Sequence, residues 1–294
     1  MQDYVRWRAF GKINLALNVG QLRPDGFHEV SMIMQSIGLW DELTLERRVG
    51  SEITLDCNLP FLAAGPKNIA YRAAQLMQQE YGLDGFHIHL NKRIPIAAGL
   101  AGGSTDAAAV IRGVNRLFEL NLPMDTMLEI GGRLGSDVPF CLLGGTCLAT
   151  GRGEKLKRLT PMQETHVALV KPNFGISTPW SYQHFDPLKA YERADMHKLI
   201  SAIGEGNLTE VCAQMVNQLE PLALETYPVI KQIKEDLVEQ GAEGAMMTGS
   251  GPTVFGLFAH YETAREAVRR LKARYPWRYQ VLYCRTPGVR RNGL

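Results

Sequence analysis

The chain has 294 residues, 45% hydrophobic and 21% charged, and 32 Lys plus Arg against 30 Asp plus Glu leave a formal net charge of +2. That length can bury a sizeable core in one large domain or two smaller ones. The charge balance argues against a nucleic-acid partner, and the lack of a long apolar run argues against a membrane span. Five cysteines (Cys57, Cys141, Cys147, Cys212 and Cys284) are scattered without a CxxC pair, which points to free thiols in a reducing compartment. Asp3, Arg6 and Arg8 interrupt any signal-like apolar core, so a cytoplasmic location is expected. Arg47-Arg48 and Arg290-Arg291 read as solvated surface.

In chain order, residues 5–19 read as extended segments interrupted around Gly11, and Asp25-Gly26 marks a turn. Residues 33–45 and 53–57 look like further strands. Ile69, Ala73, Leu76, Met77 and Tyr81 recur at helical spacing, which predicts a helix over 69–81. Residues 86–90 alternate as a strand. Its His87 and His89 share a face at a spacing that can hold metal, but no cysteine or acidic cluster joins them. They read as ordinary histidines, and no protein-held metal site is expected. After Pro95 a loop of small residues feeds a helix over 104–118, apolar on several sides and therefore buried.

Gly144-Gly145 suggests a turn, and the polar stretch 151–157 is the candidate boundary between domains 1–158 and 159–294. Beyond it, residues 167–170 form a strand, and 222–240 contain a helix with Pro221 and Pro228 near its start. Residues 246–258 read as strand, glycine turn, strand. Ala264, Ala267, Val268 and Leu271 share one face of a helix over 262–274, and 281–284 is a last strand. The tail reads as helices against a mixed sheet.

The stretch Pro95-Ile96-Ala97-Ala98-Gly99-Leu100-Ala101-Gly102-Gly103-Ser104-Thr105-Asp106 joins a small-residue loop to a helix. Unpaired amides and the helix dipole there make an anion site without a basic side chain. Glycine permits close approach of a phosphate and positive φ. Ser104 stands where it can cap the helix or reach a phosphate or magnesium ion. Neither a Walker A loop nor a GxGxxG fingerprint is present. By itself the stretch fits equally a strand-to-helix turn that binds nothing.

Asp137, in Gly135-Ser136-Asp137-Val138-Pro139-Phe140, can take a proton from an alcohol attacking a phosphate, or simply cap a helix. Lys12, a lone charge in an apolar stretch, can pair with Asp137 and offset phosphate charge, or snorkel from an edge strand. Phe27 can stack on a base whose edge His28 reads, or be the core aromatic of a hairpin. Thr248-Gly249-Ser250-Gly251-Pro252-Thr253 either closes over phosphates or is a plain hairpin turn.

Three segments in fixed order, the Pro95–Asp106 stretch, Gly135–Phe140 and the late Gly249-Ser250-Gly251, resemble those of the GHMP kinases. The likeness extends over nearly the whole chain through Ala9–Leu15, Arg23–Glu29 and Asn68-Ile69. It is nearest to members that phosphorylate a methylerythritol 2-hydroxyl on an acceptor bearing cytidine diphosphate, in the non-mevalonate isoprenoid pathway. The resemblance implies an α+β, two-domain GHMP fold: a ribosomal protein S5 domain 2-like N-terminal domain, a ferredoxin-like C-terminal domain, and an active site in the cleft. It implies ATP phosphates on Pro95, Ala97, Ala98, Gly99, Leu100, Ala101, Gly102, Gly103, Ser104 and Thr105, with Asn68 among the nucleotide contacts and Mg2+ accompanying ATP.

It further implies Asp137 as general base beside Lys12, and Asn14, Gly249 and Ser250 at the substrate. Phe27 matches one member of an aromatic pair around cytosine; Tyr182 is the candidate for the other, with Trp180 competing. Phe27 replaces a frequent Tyr, Thr105 a frequent Ser and Ala101 a frequent Gly, so stacking face and small-residue loop are kept. The implied partner is a small molecule, not nucleic acid or membrane. The competing readings are a homoserine- or mevalonate-type kinase, which would not need the Phe27-His28 pair, and a non-catalytic sensor of the same fold, which would be expected to lack Asp137 or Lys12.

Overall fold

The computed structural model describes residues 3–185, 189 and 191–287; Arg290-Arg291 and the outer limits of the expected domains fall outside them. In chain order the elements are β1 (Tyr4–Leu22), β2 (His28–Arg47), β3 (Ile53–Cys57), α1 (Ile69–Tyr81), β4 (Phe86–Asn91), α2 (Gly102–Leu117), α3 (Met124–Leu134) and α4 (Val138–Leu143). There follow β5 (Thr146–Thr150), β6 (Lys155–Arg158), β7 (His166–Lys171), α5 (Thr178–Gln183), α6 (Met196–Glu205), α7 (Leu208–Ala213) and β8 (Val216–Asn217). The chain continues with α8 (Glu220–Thr226), α9 (Pro228–Glu239), β9 (Gly244–Met247), β10 (Val254–Phe258), α10 (Tyr261–Arg274) and β11 (Gln280–Arg285). Contacts divide it into two compact units. The first runs up to Gly11 and adds Leu39–Ile94 and Ala101–Gly144; the second holds Lys12–Gly38, Pro95–Leu100 and everything from Gly145 on.

In the first unit β4 lies parallel to β3, with Ile53 opposite Phe86, and antiparallel to the end of β2, with Leu45 opposite Ile88. Alternation on β4 turns Phe86, Ile88 and Leu90 into one core with Leu43, Leu45, Ile53 and Leu55, covered by the alanine-rich faces of α1 and α2. Small residues let helix and sheet close up: a methyl on Gly113 of α2 would lie 2.9 Å from a Leu45 methyl. Truncating a side chain as fully enclosed as Leu45 to Ala costs about 2–5 kcal/mol. Asn68 starts α1, its Oδ1 accepting from the Ala70 amide at 2.9 Å, and Gly82 ends it in the left-handed region at φ 61.

In the second unit Met32–Gln35 of β2 pair with β5, β5 pairs with β6, and β1 runs parallel to β8 through Ala16 and Leu17. A separate four-stranded antiparallel sheet has the order β11-β7-β10-β9. Numbered within this βαββαβ unit, that is 4-1-3-2, the ferredoxin-like arrangement expected for the C-terminal domain. Val170, Val254, Phe258 and Val281 of this sheet share a core with Ile230, Ile233 and Leu237 of α9 and Leu271 of α10.

Several elements differ from the reading of the sequence. Residues 5–19 belong to one continuous strand, because Gly11 sits in extended backbone and breaks nothing. The buried helix begins at Gly102 rather than Ser104, with Ala101 in the left-handed region at φ 58 as its N-cap. Ser104 is therefore inside the first turn and is not the cap. The helix in 222–240 is two, α8 and α9, broken at Tyr227 because Pro228 disfavours helical backbone in the residue before it. The polar stretch 151–157 forms the turn of the β5–β6 hairpin and the start of β6. Helices α3 to α7 were not among the expected elements, although Met196, Leu199, Ile200 and Ile203 of α6 do recur at helical spacing.

Candidate active site

Strand β1 carries Lys12 and Asn14 two residues apart, hence on one face. Both are buried, and Lys12 Nζ donates to Asn14 Oδ1 at 2.6 Å. The Asn14 amide donates to Thr248 Oγ1 at 3.0 Å, its Nδ2 meets Met32 Sδ at 3.4 Å, and the Thr248 hydroxyl lies 3.4 Å from the Gly99 carbonyl. The Lys12 amide in turn donates to the Leu100 carbonyl at 3.2 Å. Three segments far apart in sequence thus converge within the second unit: Lys12–Asn14, Gly99-Leu100 and the second glycine turn.

The glycines there are sterically required. Gly249 has φ +57, and a methyl on it would lie 3.1 Å from Lys12 Nζ and 3.4 Å from Asn14 Oδ1. Gly99 has φ +73, and a methyl on it would meet the Thr248 carbonyl at 2.2 Å. Asn217 Nδ2 fixes the turn by donating to the Met247 and Gly249 carbonyls, each at 2.8 Å. The Ser250 hydroxyl lies 3.0 Å from Thr178 Oγ1.

The long glycine stretch divides at Leu100-Ala101. Pro95 is buried, Ala97 and Gly99 have positive φ, and these residues with Ala98 and Leu100 belong to the second unit. Ala101 to Thr105 belong to the first, where Gly102, Gly103 and Ser104 open the 16-residue α2. Their amides stand among the first four N–H groups of the helix, which have no intrahelical acceptor. No basic side chain is needed for that terminus to favour an anion. The Thr105 hydroxyl is directed inward and donates to the Phe10 carbonyl at 2.7 Å. Asn68 spends its side chain on the α1 cap and on the Ala63 carbonyl at 2.8 Å.

Asp137 is in the first unit, half-buried, at the N-cap position of α4; its carboxylate makes no capping bond, and its carbonyl accepts from the Cys141 amide at 3.0 Å.

Sequence reasoning missed a buried charge cluster at the start of α2. Lys92 Nζ donates to Asp41 Oδ2 at 2.5 Å, to Asp106 Oδ2 at 2.7 Å and to the Gly102 carbonyl at 3.2 Å. Asp41 Oδ1 accepts from the Arg93 and Ile94 amides at 2.5 and 2.8 Å. The cluster ties the end of β4 to the first turn of α2. Burial pushes the Asp106 carboxyl well above its usual range, with Asp41 adding to the effect against the pull of Lys92. Burial opposes the charge on Lys92, yet the Asp106 and Asp41 carboxylates outweigh it and raise its pKa. These residues are 14 to 65 positions apart and nothing local marks them.

At the other part of the site, His28 is half-buried and its Nδ1 lies 3.1 Å from the Gly20 carbonyl. The Tyr182 ring stacks on it at 5.8 Å and 27°, and Phe185 meets it edge-on at 6.2 Å. Phe27 is 48% exposed, with the Arg152 guanidinium 5.3 Å from its ring. Trp180 stacks on His184 at 4.9 Å and packs against the second unit's core beside Tyr227.

The two-unit architecture, the glycine loop opening a helix and the late glycine turn define the GHMP class of small-molecule kinase. The family models for the GHMP kinase N-terminal and C-terminal domains match residues 68–145 and 199–276. The chain is 45% identical over 282 residues to a 4-diphosphocytidyl-2-C-methyl-D-erythritol kinase of Alkaliphilus oremlandii, covering 95% of this chain and 96% of that protein. Its identity to the kinase of the same name from Acetivibrio thermocellus is 47%, with 92% and 95% covered. A crystal structure of 4-(cytidine 5'-diphospho)-2C-methyl-D-erythritol kinase superposes with a TM-score of 0.81 at 32% identity, covering 97% of this chain and 100% of that one. The chain belongs to the GHMP kinases and, within them, to the 4-diphosphocytidyl-2-C-methyl-D-erythritol kinase family.

Proposed function

We propose that this chain transfers the γ-phosphoryl group of ATP to the 2-hydroxyl of 4-diphosphocytidyl-2-C-methyl-D-erythritol, a step toward isoprenoid precursors by the non-mevalonate route. The observation that carries this reading is the convergence of Lys12, Asn14, the Gly99 loop and the Thr248-Gly249 turn, in a chain of that kinase family. Phosphoryl transfer needs little covalent help from protein; it needs positioning and charge neutralisation.

The amides of Gly102, Gly103 and Ser104 hold the phosphates, which fits a helix start whose donors lack intrahelical partners. Pro95, Ala97, Ala98, Leu100 and Ala101 shape the approach, and Asn68 lies at the nucleotide. ATP supplies the phosphoryl group; Mg2+, a cation that favours oxygen ligands, would accompany its phosphates and neutralise their charge, and the Ser104 hydroxyl is a protein oxygen that could hold it. Asp137 accepts the proton of the acceptor hydroxyl. Lys12 offsets charge on the transferring group, and Asn14 holds Lys12 and the acceptor in place. Gly249 and Ser250 line the acceptor.

Cytosine stacks between Phe27 and Tyr182. Supporting Tyr182 over Trp180, its ring adjoins His28, whereas Trp180 packs toward the core. His28 reads the base by a definite tautomer. Its Nδ1 faces a carbonyl and so carries the proton, leaving Nε2 to accept from the cytosine amino group.

A coupled ADP-release assay with the diphosphocytidyl substrate, homoserine and mevalonate tests the assignment. Turnover confined to the first is expected. Equal or faster turnover of either other alcohol would overturn it.

A further inference from the structure

We propose that Asp56, His87 and His89 form a binding site for one borderline divalent transition cation of the Zn2+ class, on the polar face of the first unit's sheet. The sequence showed two histidines and no acidic neighbour; pairing of β3 with β4 supplies one. In the parallel register Thr54 stands opposite His87 and Asp56 opposite His89, and across β2 Glu46 stands opposite His87. Since Phe86, Ile88, Leu90, Ile53 and Leu55 take the core face, alternation leaves these polar side chains together on the other.

His87 Nε2 lies 3.2 Å from His89 Nδ1 and 3.2 Å from Asp56 Oδ2, and His89 Nδ1 lies 2.9 Å from that same oxygen. A tetrahedral Zn2+ with bonds of about 2.0–2.1 Å sets its ligand atoms roughly 3.3 Å apart. The three donor atoms are therefore already spaced like one face of such a tetrahedron. The far nitrogen of each ring also faces an oxygen. His87 Nδ1 is 2.6 Å from Thr54 Oγ1, and His89 Nε2 is 3.8 Å from Glu46 Oε1. With protons kept on those outer nitrogens, the inner ones become the atoms that bind the metal, which replaces their hydrogen bonds to Asp56; that is the tautomer metal-binding histidines need. Side-chain exposures of 60% for Asp56 and 45% for His89 leave the fourth position to water. The ion would clip β3, at the end of the strand order, to β4. None of these residues belongs to the proposed kinase machinery.

The test uses the full chain without a polyhistidine tag, stripped with EDTA and titrated with Zn2+ alone against a chromophoric chelator at pH 7.5. Uptake of one equivalent is expected, with a rise in melting temperature. His89→Gln and Asp56→Asn should each weaken uptake at least 10-fold and abolish the thermal shift, while kinase turnover is kept. Both positions are exposed, so these variants should fold and carry the test even if His87→Gln does not. Co2+ substituted at the site should show d–d absorption without a thiolate charge-transfer band, which separates it from the cysteines. No stoichiometric uptake by the parent, or uptake undiminished in both variants, would overturn the proposal and leave the three residues as a hydrogen-bonded surface cluster.

Discussion

Lys12 Nζ and Asn14 Oδ1 are joined by a 2.6 Å hydrogen bond across one face of β1, and the Asn14 amide anchors the pair to Thr248 at 3.0 Å. A lysine on a long flexible stem is thereby aimed by a shorter, rigid neighbour. Asn14→Ala is expected to lower kcat by about 100-fold through misplacement of the ammonium, with a smaller effect on KM for ATP. Steady-state kinetics with a melting curve on the same sample check this; an unchanged kcat would remove Asn14 from the site.

Asp137 occupies an N-cap position without making the capping bond, so a neutral amide there has no cap to break. Asp137→Asn should reduce kcat by about 10²–10⁴-fold while ATP affinity stays within a few-fold. Calorimetric ATP binding beside turnover decides it. Loss of nucleotide binding in a folded variant would count against a role as base.

Stacking on a base contributes about 1–3 kcal/mol, or roughly 5- to 150-fold in affinity. Phe27→Ala and Tyr182→Ala should each raise KM for the diphosphocytidyl substrate within that range and leave KM for ATP alone. Equal changes for both substrates would sink the cytosine assignment.

Gly99 and Gly145 both have positive φ, but only Gly99 is enclosed: a methyl there meets the Thr248 carbonyl at 2.2 Å, and one on Gly145 meets nothing within 4 Å. Gly145→Ala should cost only the left-handed strain of about 1–2 kcal/mol. Gly99→Ala should cost more and also lower turnover, because the second glycine turn must move. Thermal denaturation and activity of the pair measure the difference.

Asp41 accepts three hydrogen bonds in full burial, so Asp41→Ala should destabilise the fold by about 3–5 kcal/mol. Asp106 behaves differently, because its raised pKa favours the neutral form in the folded state. Its stabilising contribution is whole at low pH and is lost as pH rises through the raised folded value. Asp106→Asn, neutral throughout, should gain relative to the parent as pH increases. Melting temperatures from pH 5 to 9 test this, and a difference that shrinks with pH would reverse the assignment.

Much of this protein was legible before folding. Local physics set the 69–81 helix, the alternation of 86–90, the glycine stretch and the turn at Thr248–Thr253, since each depends on neighbours a few residues away. The GHMP class was legible by resemblance, because the order and spacing of the motifs are properties of the sequence itself. Tertiary structure decided what those pieces meet. The α2 start moved to Gly102 once Ala101 took a left-handed conformation, and residues 222–240 became two helices at Tyr227-Pro228. Thr248 reached Asn14 across 234 positions, Lys92 joined Asp41 and Asp106, and Asp56 came beside His87 and His89. Such contacts follow from strand register and helix packing, which no local pattern encodes.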